Sequence, residues 1–218
     1  MRDIRTDHTH ILMNIRLLPT LLAAATLLFA GCLPESKNPL STPATSTIDA
    51  RLEGIYVARR DKKDDDLSGW HFHYRGAKAG ANGKARSTPW LEVLDIEHRK
   101  DGGLKGEAYR VLTTHLGGRD YMSFIELGSD NGKEKASLYS FARYEVSWAG
   151  DIRVWLVNSS VLAQAIKSGK LRGTVKTHKN SEDVLLTDST EHLAAFVAAS
   201  DPATLFGGKP MVLYRLAR

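Results

Sequence analysis

Residues 142–156 read ARYEVSWAGDIRVWL, two alternating apolar runs joined by a short segment that ends in glycine. Alternation of apolar and polar residues is typical of β-strands that bury one face. A three-residue loop at 148–150 places Gly150 where the turn needs a left-handed backbone. This register puts three apolar pairs on one face of a hairpin: Val146 with Ile152, Tyr144 with Val154, and Ala142 with Leu156.

The opposite face of the hairpin supports the same register. There Glu145 pairs with Arg153, and Arg143 pairs with Trp155. An opposite-charge pair and a cation over an indole are favourable cross-strand pairs, each worth about 0.2–1 kcal/mol. A two-residue loop would instead place Arg153 opposite Val146. The sequence therefore predicts a single register.

Similar short apolar runs continue on both sides of the hairpin, separated by Gly, Asp and Asn. We expect strands near 52–59, 70–75, 89–98, 104–113, 121–127, 136–147, 151–157, 171–177, 183–187 and 210–216. About ten short strands in one domain are typical of a mainly β fold, a small antiparallel barrel or sandwich. We expect the last strand to return to the sheet and close it.

Two short helices are expected in the C-terminal half. The first covers 160–168, where Asn158 or Ser159 can serve as the N-cap. The second runs from 189 to about 199, with Asp188 in capping-box spacing to a glutamate three residues later. Both helices interrupt an otherwise β-rich pattern.

Composition is that of a folded protein. The chain has 218 residues, 42% of them hydrophobic and 25% charged, and it contains one cysteine. No disulfide can therefore form within the chain, and packing alone must stabilise the fold. The formal net charge of +5 is too small to indicate a nucleic-acid partner without a clustered basic stripe. We expect residues 50–218 to form a single β-rich domain.

The N-terminal segment carries a targeting signal. Residues 17–30 form an apolar run that is shorter than the ~20 residues needed to span a bilayer but typical of a secretory signal. Met13 gives a more regular signal than Met1, and either can be the start. Leu28-Phe29-Ala30-Gly31-Cys32 resembles the lipobox of bacterial lipoproteins, with Phe29 where leucine is commonest.

The lipobox resemblance implies a mature protein that begins at Cys32. The signal peptide, residues 1–31, would be cleaved between Gly31 and Cys32, and Cys32 would carry a thioether-linked diacylglycerol and an acylated amino group. Several acyl chains form a stable membrane anchor without a spanning helix. Leu33 in place of Asp implies the outer membrane, with the domain facing the periplasm.

Residues 32–49 follow the lipobox. After Cys32 this segment contains three Pro and six Ser or Thr with few apolar residues. Such composition is typical of chains that cannot bury enough surface to order themselves. We expect residues 32–49 to consist of the lipidated Cys32 and a flexible tether that holds the domain away from the membrane.

Leu52-Glu53-Gly54-Ile55-Tyr56 resembles the Gly-x-Trp opening of lipocalin-like barrels, with Tyr56 in the place of tryptophan. The resemblance covers a few residues and implies a small β-barrel. Lipocalins place one long helix after the eighth strand. Here one predicted helix comes before the eighth predicted strand and the second comes after it.

His71 and His73 are the weak metal candidates of the sequence. On a strand they project from one face about 7 Å apart, a separation from which two imidazoles can share a metal. A third ligand would have to come from a carboxylate or from His98, His115, His178 or His192. The alternative is an exposed strand face opposite buried Trp70, Phe72 and Tyr74, and on that basis we expect no metal and no cofactor.

Other candidate residues are aromatic or acidic. Trp90, Trp148 and Trp155 can line a ligand cavity or a partner surface, or they can belong to the core. A carboxylate pair for glycoside hydrolysis could come from Glu92, Asp95, Glu97, Glu107 and Glu126, which lie on predicted strands. The sequence has no nucleophile elbow and no His-Glu-x-x-His motif.

These observations favour a non-enzymatic envelope lipoprotein that binds a protein partner or a small apolar ligand. An alternative is an inhibitor or immunity protein against a periplasm-acting hydrolase, with loops at 60–69, 76–88 and 128–135 plugging its cleft. A third hypothesis is a hydrolase that uses the strand carboxylates or a metal at His71 and His73.

Overall fold

The computed structural model describes residues 33–59, 67–74, 89–98, 103–130, 133–134, 138–179 and 181–217. The predicted signal peptide and Cys32 lie outside the described residues. In chain order the elements are β1 (Glu35–Ser36), a 3₁₀ turn (Ala50–Leu52), β2 (Gly54–Arg59), β3 (Leu67–Tyr74), β4 (Leu91–His98), β5 (Leu104–Leu116), β6 (Arg119–Glu126), β7 (Ser129–Asp130), β8 (Lys133–Glu134), β9 (Ser140–Val146), β10 (Ile152–Leu156), α1 (Ser159–Lys167), β11 (Gly173–Thr177), β12 (Glu182–Leu186), α2 (Thr190–Ala199), α3 (Pro202–Leu205) and β13 (Met211–Ala217).

Eight of these strands form a closed antiparallel barrel in the order β10-β13-β2-β3-β4-β5-β6-β9. The last strand, β13, pairs with both β10 and β2 and so closes the sheet on itself. The expected barrel and the closing role of the last strand are confirmed. A closed sheet has no free edge along which other chains could add.

The predicted hairpin at 142–156 is confirmed residue by residue. Ile152 pairs with Val146, and Trp155 pairs with Arg143. The guanidinium carbon of Arg143 lies 3.9 Å from the centre of the Trp155 ring. Gly150 has a φ of 91°, which is the left-handed conformation that the three-residue loop requires.

The barrel interior forms the first hydrophobic core. Strand alternation turns every second side chain inward, and these side chains are buried together with Leu52 of the 3₁₀ turn. They are Leu52, Tyr56, Ala58, Phe72, Leu91, Val93, Val111, Met122, Ala142, Tyr144, Ile152, Val154 and Leu213.

A second core lies between the barrel and the segment inserted before β13. The helices of this segment and a three-stranded sheet, ordered β1-β12-β11, pack against outward-facing residues of β6 and β9. The predicted strands at 171–177 and 183–187 therefore belong to this small sheet and not to the barrel. The buried residues are Leu40, Tyr121, Phe141, Val157, Leu162, Ala163, Ala165, Leu171, Val184, Leu186, Leu193, Val197, Leu205 and Phe206.

The flexible tether expected over 33–49 is wrong for this part of the chain. Leu33 to Arg218 form one compact unit, and Leu40 is only 2% exposed. The N–H of Leu40 donates to Ser123 Oγ at 2.9 Å, and Asn38 Nδ2 donates to the carbonyl of Asp188 at 2.7 Å. The segment is ordered by partners far away in sequence, which composition does not reveal.

The helices agree with the prediction except at one cap. Asn158 caps α1, as one of the two alternatives proposed. Ser189, not Asp188, caps α2, where its side chain accepts from the N–H of His192. Asp188 is instead buried and accepts hydrogen bonds from the N–H of Arg172 and from Nδ1 of His192.

The short helix α3 was not expected. Asp201 caps it, and Pro202 occupies its first turn, where the missing N–H costs nothing. Within the described ranges, no helix has the length and apolar character needed to cross a membrane.

Candidate functional site

One end of the barrel, here called the closed end, is sealed by the 3₁₀ turn. Leu52 in this turn is fully buried, and the hydroxyl of Tyr56 donates to its carbonyl at 2.9 Å. Arg215 donates to the carbonyl of Glu53 at 3.0 Å and to that of Gly150 at 3.2 Å. It also donates to the carbonyl of Arg51 and to the hydroxyl of Tyr56. One arginine thus joins the first and last barrel strands to the turn.

Asp49 organises the charges at the closed end. It forms an ion pair with Arg51 at 2.7 Å and accepts from the hydroxyl of Tyr144 at 2.8 Å. Burial would raise the pKa of Asp49, but the hydrogen bonds from Arg51 and Tyr144 outweigh burial and lower it. Burial and the neighbouring Asp49 charge raise the pKa of Tyr144. The closed end is therefore a paired structural network rather than an access route.

The other end of the barrel, here called the open end, contains an inward-facing group of half-buried aromatic rings. This aromatic cluster consists of Trp70, Tyr109 and Phe124. The Trp70 and Tyr109 rings are stacked with centroids 6.4 Å apart, and Phe124 meets Tyr109 edge-on at 6.3 Å. Offset stacking and edge-to-face contacts are the arrangements that aromatic side chains prefer.

Fully buried side chains fill the barrel below the aromatic cluster. Phe72 lies beside Trp70 with ring centroids 6.3 Å apart and is 3% exposed. Val93 and Met122 are also buried. Among the described residues, these buried side chains close the barrel below the aromatic cluster, so the rings face the open end.

Polar groups surround the aromatic cluster. The hydroxyl of Tyr109 donates to Glu107 at 2.5 Å, and Glu107 also pairs with Lys105. Burial, the hydrogen bond to Glu107 and nearby carboxylates raise the pKa of Tyr109. The contacts from Lys105 and Tyr109 lower the pKa of Glu107. Trp70 Nε1 donates to Ser68 Oγ at 3.2 Å, so the ring orientation is fixed.

The predicted carboxylates separate into two groups. Glu92 lies on the outward face of β4. Buried Asp95 and half-buried Glu97 face inward and pair in register with Glu107 and Lys105 on β5. Glu126 pairs in register with Tyr109. Glu107 pairs with Lys105 and accepts a hydrogen bond from Tyr109, so the Glu107 carboxylate positions the Tyr109 ring.

His71 and His73 lie together on the outer surface, as the strand geometry requires. Their rings are parallel with centroids 6.1 Å apart, and both side chains are exposed. In the part of the chain that the structure describes, no three His, Cys, Asp or Glu side chains approach closely enough to hold a metal. Three of the histidines considered as third ligands are hydrogen-bonded to carboxylates elsewhere: His115 to Asp120, His178 to Asp183 and His192 to Asp188.

The predicted tryptophans do not belong to the aromatic cluster. Trp155 packs beside the second core, Trp148 is fully exposed at the hairpin tip, and Trp90 is half-buried just before β4. Sequence reasoning treated Trp70 only as the residue opposite the histidines and missed Tyr109 and Phe124. The sequence signal that could have identified the cluster is the strand alternation, which turns Trp70, Tyr109 and Phe124 to the buried face of three predicted strands.

The chain matches no protein-family model, no curated protein and no solved structure. The fold itself defines the class as a closed eight-stranded antiparallel barrel with a helical insertion before the last barrel strand.

Proposed function

We propose that this protein is a lipid-anchored envelope protein that binds a small apolar ligand at the open end of its barrel. The observation that carries the proposal is the aromatic cluster of Trp70, Tyr109 and Phe124, which faces inward yet stays half-exposed. Ligand sites are typically concave and apolar, with a few polar groups that fix orientation.

The depth of the site favours a small, flat ligand. Buried Phe72 and Met122 fill the barrel below, so a ligand stacks on the rings rather than descending through the barrel. An aromatic contact adds about 0.5–1.5 kcal/mol beyond the area it buries. Lys105 and Glu107, which are partly exposed beside Tyr109, suit a ligand whose polar group points towards solvent.

The anchor is proposed at Cys32, on the lipobox resemblance and on the start of the folded domain directly after it. Leu33 begins the second compact unit of the chain. Leu33 in the position after the cysteine supports the outer membrane, with the domain in the periplasm.

The inhibitor alternative is less well supported by the strand directions. The connection from β2 to β3 and that from β6 to β9 leave the open end, whereas the connection from β3 to β4 leaves the opposite end. The three loops at 60–69, 76–88 and 128–135 therefore do not start from one end of the barrel. Residues 67–69 belong to β3, and 76–88 lie outside the described residues.

Replacing Trp70 with alanine is expected to weaken ligand binding at least tenfold, which corresponds to about 1.4 kcal/mol. The measurement is a fluorescence titration of unlipidated protein, residues 33–218, with an anilinonaphthalene probe. Wild-type protein is expected to bind one probe saturably. Trp70 stacks on Tyr109, so its loss removes one wall of the site.

Trp148→Ala is the matched control, because Trp148 is fully exposed in the loop at the closed end. This variant should bind the probe as tightly as wild type. Urea unfolding of both variants separates loss of binding from loss of folding. Absence of saturable binding by wild type, or equal weakening in both variants, would contradict the proposed site.

Replacing Cys32 with serine is expected to release the protein from the membrane, because the acyl chains attach to the sulfur and to the new amino group. Membrane and soluble fractions of cells that express each form give the measurement. Ser41→Ala, a serine of the folded domain, is the control that should stay in the membrane fraction. A Cys32→Ser protein that remains there would refute the anchor.

A further inference from the structure

The barrel wall formed by β13, β2, β3, β4 and β5 presents an apolar outer face, here called the outer wall. Its large apolar side chains alternate with the inward core residues and are 37–64% exposed: Ile55, Leu94, Ile96, Leu104, Tyr214 and Leu216. An outward strand face is ordinarily polar. A group of exposed large apolar side chains on one face indicates that this face has a partner.

Strand register aligns the residues of the outer wall in rows. One row runs Val57, Gly69, Ile96, Gly106 across β2 to β5, and the next runs Ile55, His71, Leu94, Ala108. The β3–β4 boundary divides each row into two halves, and residues at equal distances from it form matched pairs. Three of these pairs join a large side chain to a small residue: Ile96 with Gly69, Val57 with Gly106, and Ile55 with Ala108. The fourth pair, His71 with Leu94, joins two large side chains. The first row thus alternates between a branched side chain and a glycine.

Packing within the chain does not require glycine at position 69. A Cβ built on Gly69 meets no atom within 4 Å, and one built on Gly106 meets only the carbonyl of Asp95 at 3.8 Å. Glycine in the middle of a strand weakens the strand and often marks the close approach of another backbone or ligand. The two glycines make hollows on either side of Ile96.

A two-fold axis parallel to the strands, between β3 and β4, exchanges the two halves of each row. It places Ile96 of one copy over Gly69 of the other. Val57 and Gly106 also occupy matching positions, but they lie one strand further from the axis, where the two curved walls diverge. The same axis places His73 opposite Glu92, a pair of complementary groups at the rim. A two-fold interface must be self-complementary in this way.

The size of the outer wall suits the centre of such an interface. Five strands about 4.8 Å apart and a length of about six residues give roughly 400 Å² of outer wall. Because the wall curves with the closed barrel, β3 and β4 form the centre of the contact and the outer strands lie at its margins. A standard interface takes about 800 Å² from each partner, with an apolar centre and a polar rim. His73, Glu92 and Arg110 stand at the edge of the wall and supply such a rim.

The outer wall lies opposite the place where the first described residues meet the barrel. The chain enters the domain beside β9, where Ser140 Oγ donates to the carbonyl of Pro34 at 3.0 Å. In the barrel order β9 is four strands from β3 in either direction, so β3 lies on the diametrically opposite wall. The outer wall therefore lies on the side of the barrel opposite the strand beside which Pro34 is bound.

We propose that the outer wall is the interface between two copies of this chain, with Ile96 of each copy seated in the hollow at Gly69 of the other. The shape of the rows selects a second copy, because the same surface supplies both the branched side chain and the hollow. The ligand site at the open end is not part of this interface, so the two proposals can fail separately.

The test uses the full chain in envelope membranes and a short bismaleimide cross-linker. Leu94→Cys places one thiol near the axis on the outer wall, and Thr174→Cys places one on an exposed strand of the small sheet. We expect Leu94→Cys to give at least ten times as much covalent dimer as Thr174→Cys. The Thr174→Cys sample also measures any cross-linking through Cys32.

Gly69→Val, added to Leu94→Cys, is expected to abolish the dimer band, because valine fits the free domain but fills the hollow. Adding Ile96→Ala to this variant removes the opposing side chain and should restore the band. Protease resistance of the domain checks that each variant is folded. A dimer that survives Gly69→Val, equal bands at both cysteine positions, or a cross-link to a different protein would overturn the proposal.

Discussion

Replacing Arg215 with alanine is expected to lower the free energy of unfolding by about 3 kcal/mol, because several acceptors lose a charged donor at once. Arg215 donates to three backbone carbonyls, including those of Glu53 and Gly150, and to Tyr56. Its guanidinium carbon also lies 5.0 Å from the centre of the Tyr56 ring. Urea unfolding at constant slope gives the measurement.

The matched control is Arg153→Ala. Arg153 is exposed on β10 and pairs in register with Glu145, so its loss should change stability by less than about 0.5 kcal/mol. Arg215→Lys keeps the charge but loses the planar fork and should fall between the two. A loss below about 1 kcal/mol for Arg215→Ala would show that the closed end does not depend on this side chain.

Replacing Leu40 with alanine is expected to cost about 2–5 kcal/mol, the range found for buried leucines. Leu40 is 2% exposed within the second core, and its N–H donates to the buried Ser123. The large effect is expected in a segment whose composition resembles a flexible linker. Thermal or urea unfolding of residues 33–218 measures it.

Ile48→Ala provides the comparison within the same segment, because Ile48 is 48% exposed. Its stability should change by less than about 1 kcal/mol. If Leu40→Ala were as mild as Ile48→Ala, residues 33–49 would be the tether that their composition predicts. The domain would then start near residue 50.

Local pairs made the hairpin predictable from sequence. Val146 and Ile152 are close along the chain, and the charges of Glu145 and Arg153 exclude the competing register. The barrel followed from strand spacing and from the return of the last strand. The lipocalin resemblance implied the same architecture, and its Gly54 does begin the first barrel strand, with Tyr56 fully buried.

Contacts between distant segments were not predictable. The N–H of Leu40 donates to Ser123 Oγ, which orders the segment around Leu40. The side chain of Asp188 accepts from the N–H of Arg172 and therefore does not cap α2. Neither partner can be identified until the fold is known. In each case the local pattern was sound, but a tertiary hydrogen bond decided the outcome.

The candidate site was missed for a related reason. Trp70, Tyr109 and Phe124 come from three strands, and they meet only because β3 to β6 are consecutive neighbours in the closed barrel. The sequence predicted that each residue lies on a strand, but it did not predict the register between these strands, which decides whether the three rings meet. His71 and His73 were recognised because they lie on one strand, where spacing alone sets the distance.

Photoaffinity labelling can locate a ligand bound at the open end of the barrel. A photoreactive derivative of the naphthalene probe is bound, irradiated and located by peptide mass spectrometry. Labelling concentrated on β3, β5 and β6 around Trp70, Tyr109 and Phe124, and competed by unmodified probe, is the predicted result. Labelling of the outer wall at Leu94 and Ile96, or labelling without competition, would contradict a ligand site inside the barrel.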